Sequence, residues 1–151
     1  MDIQALSAKF GINAEYVKEG MFPVFAQNIA GKKVLLVADQ TTQQFLPRIE
    51  PIVRASAAQC GTFILPEREP VADKPTVAAV SAAGEGYDYL LAVGAGTLND
   101  LCKYAGFLTH RKSGVYATAP SMDGYTSGVA PLIADGFKIT RPAQTASDVL
   151  I

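Results

Sequence analysis

The chain has 151 residues, 49% hydrophobic and 18% charged, which excludes a disordered segment and suits one domain with a sizeable core. A formal net charge of -1 provides no field for gathering nucleic acid or an anionic membrane, so a phosphate-bearing ligand must be held by local geometry. No apolar run is long enough to cross a bilayer, and Met1 to Phe10 contain Asp2 and Lys9 rather than a signal core, so the cytoplasm is expected.

Ile3, Leu6 and Phe10 recur at helical spacing, and Gly11 offers a stop for a short opening helix. Pro23 interrupts the segment from Glu19 to Ile29, which gives no clear period. Val34 to Ala38 is a continuous apolar run, as expected of a strand buried on both faces. It ends at Asp39, and Thr41 or Thr42 can cap a helix carrying Phe45, Leu46, Ile49, Ile52 and Val53. Pro47 and Pro51 predict that this helix starts late or bends.

Thr62 to Leu65 reads as a second strand, Pro66 to Pro75 as a loop, and Thr76 to Ala82 as a helix. Asp88 to Val93 is a third strand running into Gly94-Ala95-Gly96-Thr97, followed by a helical pattern through Leu98, Leu101, Cys102 and Phe107. A turn at Lys112-Ser113-Gly114 then leads to a fourth strand, Val115 to Thr118. Asp135-Gly136, between apolar flanks, predicts a tight hairpin, and Val149 to Ile151 begins another strand. The alternation predicts an α/β fold: a Rossmann-like, mainly parallel sheet covered by helices, with a β-hairpin near the C-terminus.

Three segments carry candidate chemistry. Gly94 to Leu98, between strand and helix, can bring backbone N–H groups and a helix N-terminus to a pyrophosphate, although Asn99 stands where a full GxGxxG fingerprint has its third glycine. The same glycines also suit a ligand-free tight turn. Asp39 ends a strand and can accept adenosine ribose hydroxyls, or it can simply cap the next helix. Thr118 to Ser127 concentrates hydroxyls, a carboxylate and a glycine after a strand, which suits a ligand loop or a polar surface turn. Cys60 and Cys102 have no metal or redox spacing and read as reduced, structural residues. The single histidine, His110, rules out a multi-histidine metal site within the chain and reads as a surface residue.

Val93 to Asp100, then Lys103-Tyr104, then Thr118-Ala119-Pro120-Ser121-Met122-Asp123-Gly124-Tyr125-Thr126-Ser127, together resemble glycerol-1-phosphate dehydrogenases, and Asp135 to Lys138 does so too. That family stands with the iron-containing alcohol dehydrogenases, glycerol dehydrogenases and dehydroquinate synthases. The resemblance runs from Lys33 to the end and is strongest from Val93 to Lys138. The SMDGYTS tail sets the branch apart, and so argues against the alternatives of a glycerol dehydrogenase or a dehydroquinate synthase-like lyase. A nucleotide-binding module without catalysis is the alternative of another class.

The resemblance implies that residues 1–151 form an NAD(P)-binding domain, and that a helical metal-binding domain lies outside this chain, which alone would be inactive. It implies that Asp39 meets the adenosine ribose and that Gly94, Ala95, Gly96, Thr97 and Leu98 cradle the pyrophosphate. Thr118 and Ser121 would contact the cofactor, with Ser127 near the nicotinamide end. Asp123 would bind the substrate hydroxyl at the catalytic position, and Asp100 and Lys103 would line the same cleft. The implied reaction is hydride transfer between NAD(P)H and dihydroxyacetone phosphate, giving sn-glycerol 1-phosphate. A zinc-type metal would be held by one aspartate just beyond Ile151 and two histidines of the other domain; Asp148 comes a few residues too early. The expected partners are a small phosphate substrate and further copies in a homo-oligomer, with neither nucleic acid nor membrane. Gln40 and Thr41 bring no arginine beside Asp39 for a 2′-phosphate, which leans toward NAD unless a basic group arrives from elsewhere in the fold.

Overall fold

A computed structural model describes residue 9 and residues 11–15, 22–119 and 124–151. Six parallel strands form one sheet: β1 (Asn13–Glu15), β2 (Lys33–Ala38), β3 (Gln59–Ile64), β4 (Tyr89–Gly94), β5 (Lys112–Ala117) and β8 (Asp148–Leu150). Their spatial order is β1-β8-β5-β4-β2-β3. The helices are α1 (Pro23–Ile29), α2 (Leu46–Ser56), α3 (Lys74–Ala83) and α4 (Gly96–Thr109). The hairpin of β6 (Val129–Ala134) and β7 (Phe137–Pro142) stands apart from the sheet and lies over α4 and α3.

The central strands divide their side chains by the two-residue period of a strand. Val34, Leu36, Leu91 and Val93 point to one face, where Phe25 and Ile29 of α1 and Ile49 and Val53 of α2 meet them. Leu35, Val37, Leu90 and Ala92 point to the other, against Val77 and Val80 of α3 and Leu101 and Ala105 of α4. Burial on both faces explains why β2 and β4 read as unbroken apolar runs rather than alternations.

One proline acts differently from its reading and another as expected, since the helix after β2 starts late, at Leu46. Pro23 opens α1 instead of interrupting a segment, because a proline in the first turn removes an N–H that has no helical partner. Pro47 likewise falls in the first turn of α2, behind a short 3-10 turn at Thr42–Phe45, while Pro51 is accommodated inside the helix. Asp73 starts α3 two residues earlier than expected: its Oδ1 accepts from Thr76 N–H at 3.0 Å and from Thr76 Oγ1 at 2.7 Å.

Lys112, Ser113 and Gly114 do not form a turn; they pair with Tyr89, Leu90 and Leu91 as the first half of β5. The reversal is made by His110, which caps α4 in the left-handed conformation (φ 55°). Gly114 is needed for space, since a Cβ there would collide with the Tyr89 hydroxyl. The hairpin is as expected: Asp135 and Gly136 have φ of 50° and 80°, both positive as in the two-residue turn that suits strand twist, and Ala134 pairs with Phe137. The opening helix expected over residues 3–10 lies outside the described residues, apart from Lys9.

Candidate dinucleotide site

After β2 the chain moves outward to the edge strand β3, then returns across β2 to form β4, β5 and β8. The connections leaving β2 and β4 therefore depart in opposite senses, which opens a crevice between their carboxyl ends; open α/β sheets bind ligands at such a point. The structure places Asp39 on one side of this crevice and Gly94 to Leu98 on the other. Asp39 and Ala95 to Leu98 contribute to a cleft of about 610 Å³, along with Thr41, Thr42, Arg68 and Glu69.

Asp39 is nearly buried. Its Oδ1 accepts the N–H groups of Thr41 at 2.8 Å and Thr42 at 2.7 Å, while Thr42 Oγ1 receives the Asp39 N–H at 3.0 Å. The capping reading of Asp39 is thus realised by one carboxylate oxygen. The other, Oδ2, makes no hydrogen bond among the described residues and remains an acceptor for a ligand.

The start of α4 shows the opposite economy to α3. Ala95 supplies no side-chain cap, the first turn holds no acid, and the first N–H to bond back is that of Asn99, to Ala95 O at 3.0 Å. The N–H groups of Gly96, Thr97 and Leu98 are left at the positive end of a helix of 14 residues. Gly94 lets this turn lie close to β4, because a Cβ there would overlap the Leu98 side chain. Asn99, at the position of the absent third glycine, is buried with its Oδ1 unpartnered.

Thr118 continues the sheet edge, with its N–H on Gly94 O at 3.1 Å, and lines a second cleft of about 510 Å³ with Phe22, Phe45, Arg48 and Ile151. Ser121 and Asp123 lie outside the described residues. Ser127 is half-buried and its Oγ is shared with Gly124 O, Val129 O and Lys103 Nζ. Lys103 is fully buried, not at a cleft surface. Its charge faces Asp100 Oδ1 at 3.9 Å. Burial pushes the Asp100 carboxyl up to about 6, against the opposing pull of the Lys103 and Lys138 ammonium groups. Burial likewise lowers the Lys103 ammonium, partly offset by Asp100.

Arg68 was missed in the sequence. It lies 29 positions beyond Asp39, but Gln40 N–H bonds to Glu67 O at 3.2 Å and Thr41 Oγ1 donates to Arg68 O at 3.0 Å. These bonds clamp the β3–α3 loop onto the Asp39 turn and make Arg68 part of the cleft lining. Only the juxtaposition of β2 and β3 reveals it, since no local pattern around Asp39 contains it.

Residues 18–151 match the family model for iron-containing alcohol dehydrogenase. The chain belongs to that family. Among curated members it is 33% identical over 121 residues to glycerol-1-phosphate dehydrogenase [NAD(P)+] of Bacillus velezensis, covering 77% of this chain and 31% of the relative. It is 30% identical over 137 residues to the enzyme of the same name from Bacillus licheniformis, covering 88% of this chain and 34% of the relative. The chain thus spans about a third of the length of these family members. Among solved structures, the iron-containing alcohol dehydrogenase of Thermotoga maritima aligns with a TM-score of 0.79 at 11% identity, covering 93% of this chain and 46% of that one. Glycerol dehydrogenase of Schizosaccharomyces pombe aligns with a TM-score of 0.78 at 15% identity, covering 92% and 36%. At such identities the structural likeness establishes the fold alone.

The family name implies a metal. Among the described residues no three His, Cys, Asp or Glu side chains converge to hold one. His110 is exposed at the far end of α4 from the glycine turn. Asp148 begins β8 at the amino edge of the sheet, where Asn13 Nδ2, Asn28 Nδ2 and Tyr89 OH all donate to its carboxylate. The described residues therefore do not fit a metal centre. Cys60 and Cys102 are free thiols, and burial raises both. No described helix is long and apolar enough to cross a membrane.

Proposed function

We propose that this chain is the nucleotide-binding part of an NAD(P)-dependent sn-glycerol-1-phosphate dehydrogenase, acting between NAD(P)H and dihydroxyacetone phosphate. The observation that carries the reading is the crevice between β2 and β4, where a carboxylate with one free oxygen faces an uncapped helix N-terminus across a common cleft. Family membership and the glycerol-1-phosphate dehydrogenases among the relatives support the substrate class.

In this reading Asp39 Oδ2 accepts a hydroxyl of the adenosine ribose. The N–H groups of Gly96, Thr97 and Leu98 donate to the pyrophosphate, and Gly94 and Ala95 keep the approach free of side chains. Thr118 and Ser121 would contact the cofactor, with Ser127 near its nicotinamide end, and Asp123 would bind the hydroxyl side of a small phosphate substrate. When bound, the nicotinamide supplies the hydride that converts the ketone to a secondary alcohol. A metal would be held by residues outside those described. Residues 1–151 would act as one nucleotide-binding domain of a cytoplasmic homo-oligomer.

Calorimetric titration with NADH tests the reading. Gly96→Asp sets a negative charge among the N–H groups that the pyrophosphate needs, while an acid in the first turn favours the helix itself. The parent is expected to bind, and a folded Gly96→Asp variant to bind at least about tenfold more weakly. A folded parent that does not bind NADH would count against it.

A further inference from the structure

Lys103 makes an unusual set of contacts for a lysine. It sits in the middle of α4 with no exposed surface. Its ammonium reaches Val129 O at 2.8 Å, Ser127 Oγ at 3.0 Å and Gly124 O at 3.3 Å, so its three donors meet three acceptors. All three acceptors belong to the short stretch that enters β6, and none to α4. Asp100, one turn earlier on the same helix, supplies the countercharge at 3.9 Å. Burying an ammonium is costly unless it is bonded and paired. An apolar side chain would fill the same space at lower cost, so core packing does not explain a lysine here.

The helix that carries Lys103 is the one whose N-terminus faces the cleft. The stretch it grips closes the connection that leaves β5, the strand beside β4. The first residue after β5, Thr118, lies at the same carboxyl edge, where its N–H bonds to Gly94 O at 3.1 Å just ahead of the glycine turn. Besides Lys103, the turn at Gly124–Thr126 is held by the buried Tyr125, whose OH donates to Ala119 O at 2.9 Å, and by Ser127 Oγ, which donates to Gly124 O at 3.1 Å and Val129 O at 3.0 Å, but none of these bonds reaches α4. Through Lys103 the turn is tied to the helix that would carry the pyrophosphate.

We propose that Lys103 is the positioning residue that fixes the Gly124–Val129 stretch against α4 and thereby shapes the nicotinamide half of the dinucleotide site. The inference rests on the dinucleotide reading of the cleft. It separates two halves of that site: the adenosine and pyrophosphate half depends on Asp39 and the start of α4, and the nicotinamide half on the Lys103 link.

Comparing the affinities of NADH and ADP-ribose, which lacks the nicotinamide, tests the separation. The full chain, Lys103→Met and Lys103→Arg would be titrated with both, with folding checked by circular dichroism. The parent is expected to bind NADH more tightly than ADP-ribose. Lys103→Met should keep its ADP-ribose affinity within about twofold and lose about tenfold for NADH, the effect of losing one hydrogen-bonded charge. Lys103→Arg, which restores a multidentate donor, should recover part of that loss. Equal losses for both ligands would reduce Lys103 to general support of the fold and overturn the proposal, as would no loss for either. Should Lys103→Met not fold, Lys103→Gln, which keeps an uncharged donor on the same helix position, reads the same link and is expected to show a smaller, still NADH-selective loss; an equal loss or none overturns it. A parent that binds neither ligand removes the dinucleotide reading itself, and one that binds both equally removes only the role given to Lys103.

Discussion

In the dinucleotide reading proposed above, Asp39 and Arg68 would give one cleft two opposing preferences. A carboxylate beside the ribose favours a free 2′-hydroxyl, whereas a guanidinium can accommodate a 2′-phosphate. Asp39 is fixed by the Thr41 and Thr42 N–H groups, and the loop bearing Arg68 is fixed to the same turn. Glu69 adds a second acid to the cleft, so Arg68 is the group there able to offset the repulsion of a phosphate. We therefore expect both cofactors to bind. Arg68→Ala should weaken NADPH roughly ten- to a hundredfold, the range for a charge-assisted contact, and leave NADH within about twofold. Equilibrium titration of the variant with each cofactor checks this; equal effects on the two would show that Arg68 does not read the 2′-position.

At the scale of elements, the two long crossover helices on one face end in contrasting ways, and the contrast separates stability from function. The start of α3 is closed by the Asp73–Thr76 bonds, while the start of α4 is left open. The cost of that open end falls on α4, whose other end is also imperfect. His110 holds a left-handed conformation, strained for a residue with a Cβ, so that the Arg111 N–H can reach Gly106 O at 2.9 Å. His110→Gly should therefore raise stability by roughly 0.5–1 kcal/mol, or about 1–4 °C in melting temperature. Thermal unfolding followed by circular dichroism measures it. Because His110 lies at the opposite end of α4 from the cleft, NADH affinity should not change.

Across the whole molecule, the two edges of the sheet do different work. The carboxyl edge carries the open donors and acceptors of the cleft. The amino edge is sealed around Asp148, fully buried, which takes Asn13 and Asn28 amides at 2.9 and 2.8 Å and the Tyr89 hydroxyl at 2.6 Å. Burial, with the neighbouring Asp148 charge, raises the Tyr89 phenol well above its usual range, so it stays a donor at any physiological pH. This one carboxylate joins β1, α1 and β8 to the centre of the sheet. Asp148→Ala leaves three donors without their acceptor, and is expected to lower stability by about 3 kcal/mol in urea unfolding. Amides of β1 and α1 should then exchange faster than those of β2, which supplies none of the three donors. A uniform loss of protection would mean that the network serves the whole sheet.

Local chemistry was enough for the sequence to determine the strands at Val34 to Ala38 and Asp88 to Val93, the glycine turn after β4, and the Asp135-Gly136 hairpin. Each of these rests on neighbours along the chain: unbroken apolar runs, a strand–glycine–helix succession, and two residues able to hold positive φ. The family resemblance was equally local, carried by contiguous motifs. What escaped was set by partners distant in sequence. Gly114 read as a turn residue because its real neighbours, Tyr89 and Asp148, lie 25 and 34 positions away. The resemblance put Lys103 at the cleft, and its burial depends on three acceptors that come from beyond β5. Arg68 carried no signal until β3 was laid beside β2. Composition and periodicity fix which residues can form elements, but only the tertiary fold decides which charges end buried, which donors stay open, and which meet across the crevice.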